Sequence, residues 1–310
     1  MHFSVSLPTD RIGRAAEFVT QAAVAEIATA AEDAGFDACF VTDHPFPPHR
    51  WLHGGGHHAL DPFVALSFAA AATSRLKVQT HILVLPYRNP FAVAKAVLSL
   101  DVLSGGRVIL GVAAGYLKGE FTALGADFAA REDVSDDAIR AMKLAWARDD
   151  VHFDGPGFRA DGNSMGFRPA QTPHPPIWVG GNSRAAIRRA VELGDGWVPF
   201  PNSAAMSKYT RTPAMETLDD LAQRLAFARE HAATVGRREP LDICYSLVSM
   251  GSPSIEPAEA LDRIGTLREL GVTWLTVGFA ADTRREYIVA MQRFARDVVA
   301  RADDGHAAEG

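Results

Sequence analysis

Asp43 and His44 are the first pair in this chain whose types and spacing suggest chemistry. They follow an apolar run, DACFVT, that reads as a strand. Adjacent side chains at a strand end diverge, so the two need not touch. An imidazole placed there can donate a hydrogen bond or move a proton near neutral pH, and the carboxylate can orient a neighbour. In the plainer reading Asp43 caps a turn and His44 fills space against Pro45. The second candidate is IWVGGNSRAAIRRAVEL, residues 177–193. A short apolar strand runs into Gly180 and Gly181, and then into a helix that Asn182 or Ser183 can cap. The unpaired N–H groups and positive dipole of such a helix start suit a phosphate. Arg184, Arg188 and Arg189 add positive charge nearby. An ordinary strand-to-helix turn that needs glycine only for its geometry fits this segment equally well.

Weaker signals lie between these two. His81, in LKVQTHILVLP, is either a satisfied core histidine or a ligand contact at a strand end. Gly115 lets the backbone turn sharply or approach a flat ligand, and Tyr116 beside it can stack or donate. The stretch HRWLHGGGHH, residues 49–58, has the residue types of a metal site. Its three glycines make it too floppy to hold ligands in place, and a mobile flap suits it better. No metal site is expected. The Ser, zinc and nucleotide motifs GxSxG, HExxH, Walker A and GxGxxG do not occur.

These residues need a scaffold, and the chain alternates strand and helix eight times. Strands are expected at 3–7, 37–42, 76–84, 107–113, 177–179, 196–200, 241–248 and 272–279. Helices are expected at 15–34, 61–73, 89–103, within 117–148, and at 183–193, 213–235, 256–270 and 282–301. Asp61-Pro62 and Asn89-Pro90 are cap-plus-proline helix starts. The stretch 149–173 reads as an insertion with a small hairpin, and 201–212 as a long loop. Apolar strands alternating with helices imply a parallel sheet covered on both faces. Eight units favour an α/β fold of the closed (β/α)8 TIM-barrel type, with insertions after the fourth and sixth strands. The barrel occupies residues 1–302, and the small polar tail 303–310 is expected to be disordered. Function then belongs at the C-terminal strand ends: Leu7-Pro8, Thr42–His44, His81–Leu85, Gly111–Tyr116, Gly180–Asn182, Phe200–Ser203, Ser249–Gly251 and Gly278-Phe279.

Composition narrows the partners. A net charge of −6 over 310 residues argues against nucleic acid. No charge-free run is long enough for a membrane span, and the N-terminus lacks the pattern of a signal peptide. Cys39 and Cys244 sit in apolar runs and read as buried thiols, which suits the cytoplasm.

Five segments together resemble the bacterial-luciferase-like flavin oxidoreductases, most closely the branch using the deazaflavin coenzyme F420. They are GFDACFVTDH, the block LDPFVALSF to GEFTALG at 60–125, DVSDDAIRAMKLAW, RPAQTPHPPIWVGGNSRAAIRRAVELGDGWVPF, and GVTWLTVGF. The resemblance implies a (β/α)8 barrel with the tricyclic ring in its mouth. Gly180 and Gly181 match the family's phosphate-binding double glycine, Asn182 stands beside them, and Asn202 and Ser203 match a second phosphate-side stretch. Asp43 and His44 match a strand-two pair beside the ring, and Gly115 and Tyr116 stand at the end of the fourth strand. The family's third strand often carries a non-proline cis peptide behind the ring, which here would fall at His81-Ile82. Two departures stand out. The family often has glycine where this chain has His81. Tyr116 stands where some deazaflavin sugar dehydrogenases place an acidic glutamate, which disfavours a sugar phosphate and leaves His44 as the proton donor. The resemblance therefore implies an F420-dependent hydride transfer to or from a small organic substrate, in a homodimer. Phe46, Trp51, Phe153, Phe158, Met165 and Phe167, in or near the loops around the mouth, suggest an apolar or aromatic one, or else serve as local packing anchors. The rivals are a reduced-FMN monooxygenase and a non-catalytic flavin-binding protein.

Overall fold

Where each helix starts and stops is set by local chemistry, and that fixes which strand ends meet. The computed structural model describes residues 1–248 and 255–304. Its strands are β1 (His2–Ser6), β2 (Ala38–Val41), β3 (Lys77–Val84), β4 (Val108–Ala113), β5 (Val151–Gly155), β6 (Phe158–Asn163), β7 (Ile177–Gly180), β8 (Gly196–Val198), β9 (Asp242–Ser246) and β10 (Trp274–Val277). β5 and β6 form an antiparallel hairpin outside the barrel. The other eight are parallel and close in the order β1-β2-β3-β4-β7-β8-β9-β10, with β10 pairing back onto β1. This is the expected TIM barrel.

The two cap-plus-proline signals start helices as expected. Asp61 Oδ1 accepts the N–H groups of Phe63 and Val64 ahead of the helix Pro62–Ala72. Asn89 Oδ1 accepts that of Phe91 ahead of Pro90–Ser104, which ends at the left-handed Gly105. The helix Gln21–Asp33 is tied forward by Glu32, whose carboxylate accepts the N–H groups of Ser74, Arg75 and Leu76 at 3.0, 2.6 and 2.7 Å. That clip delivers the chain into β3.

Two apolar layers hold the barrel. Between wall and helices lie Leu66, Val97, Ile139, Ile187 and Leu267, all fully buried. Each such side chain contributes about 1.5–3 kcal/mol. Inside the barrel a smaller cluster joins Ala38, Ile109, Trp178, Val198, Cys244 and Trp274, with Ile82 packed on its mouth side.

Several elements differ from expectation. The stretch 15–34 divides into Ala15–Phe18 and Gln21–Asp33, because Thr20 adopts an extended conformation and its hydroxyl oxygen caps Ala23 N–H. The loop at 201–212 contains a helix, Ala204–Thr210, started by the Ser203 hydroxyl. The flap at 49–58 contains a helical turn, His49–His53. The last helix runs Arg284–Phe294, passes through a π turn at 295–299 and continues as Ala300–Asp304, across the boundary drawn at 302. The rim stretch Ser249–Gly251 and residues 305–310 of the tail lie outside the described residues.

Candidate functional site

Asp43 and His44 diverge at the end of β2, and each finds a partner that sequence reasoning missed. Asp43 turns to the scaffold. Its carboxylate accepts both arms of Arg88, at 2.7 and 3.1 Å, and the Val84 N–H at 3.0 Å. Burial pushes this carboxyl up, against the pull of Arg88 and the Val84 amide. It is a latch between β2 and the end of β3.

His44 turns instead to Glu120, a fully buried carboxylate on the short helix Lys118–Ala123 after β4. Glu120 Oε2 lies 3.2 Å from His44 Nδ1 and 3.0 Å from the Tyr87 hydroxyl, while Oε1 accepts the Phe46 N–H at 3.1 Å. A carboxylate only accepts, so His44 Nδ1 carries a proton and Nε2 is the ring nitrogen left to exchange one. Burial and the Glu120 charge push the Tyr87 hydroxyl above its usual range and that of Tyr116 up to about 12, so both phenols stay protonated donors. Trp51, His57 and Tyr116 surround the His44 ring at centroid distances of 4.5, 4.9 and 6.3 Å. Burial, with His44 beside it, holds His57 below its usual range. The flap at 49–58 thus packs onto His44.

β3 passes behind this cluster. Its register against β4 shifts between Thr80 and Leu83, where the His81–Ile82 peptide is cis, at the position the resemblance implied. A Cβ on Gly180 would overlap Ile82 Cδ1, so the Ile82 side chain lies flat over that glycine. A Cβ on Gly115, at φ +80°, would overlap Val84 Cγ1, so that bend requires glycine. His81 packs on Phe40 at 4.7 Å, and burial holds its imidazole down to about 4, neutral at pH 7.

The double-glycine turn differs in detail from expectation. Gly181 has φ +124°, which requires glycine, but its N–H is spent on Val198 O and that of Asn182 on Thr212 Oγ1. Ser183, not Asn182, caps the helix Arg184–Leu193. The Asn182 amide clamps Phe200 and Pro213. The Asn202 amide bonds Thr210 and Thr212, and Ser203 caps its own helix. The expected positive charge is spent elsewhere. Arg189 is buried against Glu132 and Asp136, and Arg184 and Arg188 lie over the Phe227 ring. The donors left at this turn are the N–H groups of Ser183, Arg184 and Ala185, which have no acceptor among the described residues. Of the loop aromatics, Phe153 and Phe158 stack on each other and Phe158 meets Phe91, which makes them anchors of the hairpin. Among the described residues no three His, Cys, Asp or Glu side chains are grouped to hold a metal ion.

A histidine–carboxylate–tyrosine cluster thus stands at the C-terminal mouth of a closed parallel barrel, the end at which barrels of this type carry their sites. A family model described as luciferase-like monooxygenase matches residues 1–263, and the chain belongs to that family. It is similar to the FMNH(2)-dependent dimethylsulfone monooxygenase of Pseudomonas putida, at 32% identity over 68% of this chain and 55% of the relative. It is also similar to the F420-dependent glucose-6-phosphate dehydrogenase of Gordonia bronchialis, at 34% identity over 56% of this chain and 51% of the relative. The chain spans about half the length of these two curated relatives. Among solved structures, monooxygenase RslO1 from Streptomyces bottropensis superposes with a TM-score of 0.78 at 20% identity, covering 97% of this chain and 99% of that one. That likeness concerns the fold.

Proposed function

We propose that the chain is an F420-dependent oxidoreductase that moves a hydride between the deazaflavin and a small apolar or aromatic substrate. The observation that carries this reading is the buried Glu120 carboxylate, which holds His44 at Nδ1 and leaves Nε2 without a hydrogen-bond partner among the described residues. Hydride transfer to or from a carbon bearing oxygen or nitrogen requires a proton to move as well, and His44 is placed to hold it. The F420-dependent relative at 34% identity supports the cofactor assignment.

The residues present fit such a group. Gly180 offers no Cβ and Ile82 covers it, which leaves an apolar floor next to His81 and Phe40. The turn at Gly180, Gly181 and Asn182 leads to the unpaired N–H groups of Ser183, Arg184 and Ala185, suited to the anionic end. Asn202 and Ser203 brace the neighbouring segment. Trp51, Phe46 and Tyr116 supply apolar walls for a substrate near His44. When bound, the deazaflavin supplies the carbon that carries the hydride.

A second reading, a reduced-FMN monooxygenase, is favoured by the relative at 32% identity and would use the same floor and turn. Titration of the protein with F420 and with FMN decides between them: tighter binding of FMN overturns the first reading. His44→Ala is expected to cut turnover about 10²–10⁴-fold and to leave cofactor affinity within a few-fold; unchanged turnover removes His44 from the reaction. We place the enzyme in the cytoplasm as a homodimer. The free, buried Cys39 and Cys244 support the first, and the exposed Val64 and Phe68, one turn apart on the helix Pro62–Ala72, support the second.

A further inference from the structure

A line of polar side chains runs up the inside of the barrel to His81, and the acid–base cluster does not use it. Ser4 on β1 is fully buried, and its hydroxyl lies 2.8 Å from Gln79 Oε1 on β3. A buried hydroxyl proton needs an acceptor, and Gln79 Oε1 is the one Ser4 has among the described residues. That sets which way the Gln79 amide faces: oxygen toward Ser4, NH2 toward His81. Gln79 Nε2 lies 3.4 Å from His81 Nδ1. An amide nitrogen only donates, so Nδ1 accepts and the ring proton sits on Nε2. Nδ1 and Nε2 lie on opposite edges of an imidazole. Nδ1 is turned back to Gln79 in the closed interior, His81 is largely buried, and Nε2 has no acceptor among the described residues, which leaves its N–H directed away from that interior. Phe40, packed on the ring at 4.7 Å, limits its rotation.

We infer that His81 is a neutral, single-tautomer hydrogen-bond donor to an acceptor atom of the heterocycle that occupies the mouth, and that Ser4 and Gln79 are the positioning residues that set its tautomer. The identity of the heterocycle rests on the flavin-type reading above; the tautomer does not. Burial, which holds His81 neutral at pH 7, keeps the donor unchanged across the physiological range. A neutral donor favours a ring edge bearing carbonyl or ring-nitrogen acceptors, and it does not add a positive charge to the site.

Long-range proton–nitrogen NMR of the 15N-labelled protein without cofactor reads the tautomer directly. The expected result is a His81 proton on Nε2, with the ring neutral down to about pH 5. Gln79→Glu offers Nδ1 an acceptor in place of a donor and is expected to move the proton to Nδ1. Ser4→Ala is expected to leave a mixture, and Ser4→Thr to keep the wild-type tautomer. In titrations with FMN and with F420, His81→Phe and Gln79→Glu are each expected to weaken the better ligand roughly three- to tenfold, the worth of one hydrogen bond, and Ser4→Thr to restore wild-type affinity. A wild-type proton on Nδ1 overturns the inference. So does His81→Phe protein that melts normally and binds the ring with wild-type affinity and spectrum. Wild-type protein that binds neither cofactor sinks the flavin reading and, with it, the ring as the partner of His81, while the NMR result still reports the tautomer.

Discussion

Asp43→Ala separates a latch from a catalytic acid. The carboxylate is 1% exposed and accepts three hydrogen bonds: both arms of Arg88 and the Val84 N–H. Truncation leaves the Val84 amide without an acceptor in a closed interior, a cost of about 1–3 kcal/mol. It also strands a guanidinium, and breaking one side of a buried ion pair costs about 3–5 kcal/mol. Arg88 is 20% exposed and keeps Asp61 at 3.4 Å, so the lower end applies and the two costs overlap. A total near 3 kcal/mol is expected. At roughly 2–4 °C of Tm per kcal/mol for a domain of this order of size, the melting temperature should fall by about 6–12 °C. Asp43→Asn keeps one acceptor and should lose about half as much. Scanning calorimetry of both variants at pH 7 measures this, with turnover assayed well below the lower Tm. A Tm within 1 °C of wild type for Asp43→Ala, accompanied by lost turnover, would refute the latch and return Asp43 to the chemistry.

Glu120→Gln keeps the shape of the buried side chain but offers one acceptor oxygen where two serve three donors. With that oxygen on the Phe46 N–H, the amide NH2 meets His44 and Tyr87 and drives the His44 proton to Nε2. Turnover should fall about 10²–10⁴-fold with a Tm loss of only a few degrees, and unchanged turnover would show that Glu120 does not act through His44. Glu32 tests the clip into β3. Burial would raise its carboxyl, but the amides of Arg75, Leu76 and Ser74 and the Ser74 hydroxyl outweigh it and lower the pKa from 4.5 to about 2. A depressed folded-state value means that the stabilisation is complete above pH 4.5 and drains away as the pH falls toward 2. Urea midpoints between pH 7 and 3 should therefore fall less for Glu32→Gln than for wild type, and parallel curves would show that the clip carries no weight.

The barrel was legible because its signals are local. Asp61-Pro62 and Asn89-Pro90 carry their caps beside their first turns, and Gly105 stops its helix by conformation alone. The apolar strands declare burial on both faces without reference to partners. What escaped depended on contacts distant in sequence. Glu120 lies on a six-residue helix too short to show a period, and nothing in KGEF says that 76 residues earlier a histidine waits for it. Arg88 falls just beyond the strand end, 45 residues on, so the neighbour that Asp43 holds could not be named. The helix Ala204–Thr210 is likewise too short for periodicity, though Ser203 is a cap signal that could have found it. At the double glycine the geometry was right and the hydrogen-bond accounting was not, because the acceptors Val198 and Thr212 come from the next strand and the next loop.

The two neighbours at the end of β2 show why one segment can carry both fold and chemistry. A strand end sends consecutive side chains in opposite directions. Asp43 uses its direction to fasten Val84 and Arg88, which fixes β3 just beyond His81 and Ile82. His44 uses the other to reach Glu120, and Tyr87, one residue before Arg88, bonds the same carboxylate. The stretch Val84–Arg88 is therefore held from both sides, by an ion pair and by the Glu120 carboxylate. Loosening the ion pair shifts the segment that carries Tyr87, whereas loss of His44 leaves Tyr87 on Glu120. A variant of Asp43 that still folds should broaden or displace the NMR signals of His44 as well as those of His81, whereas a His44 variant, which leaves the Arg88 latch intact, should leave the tautomer of His81 as it was.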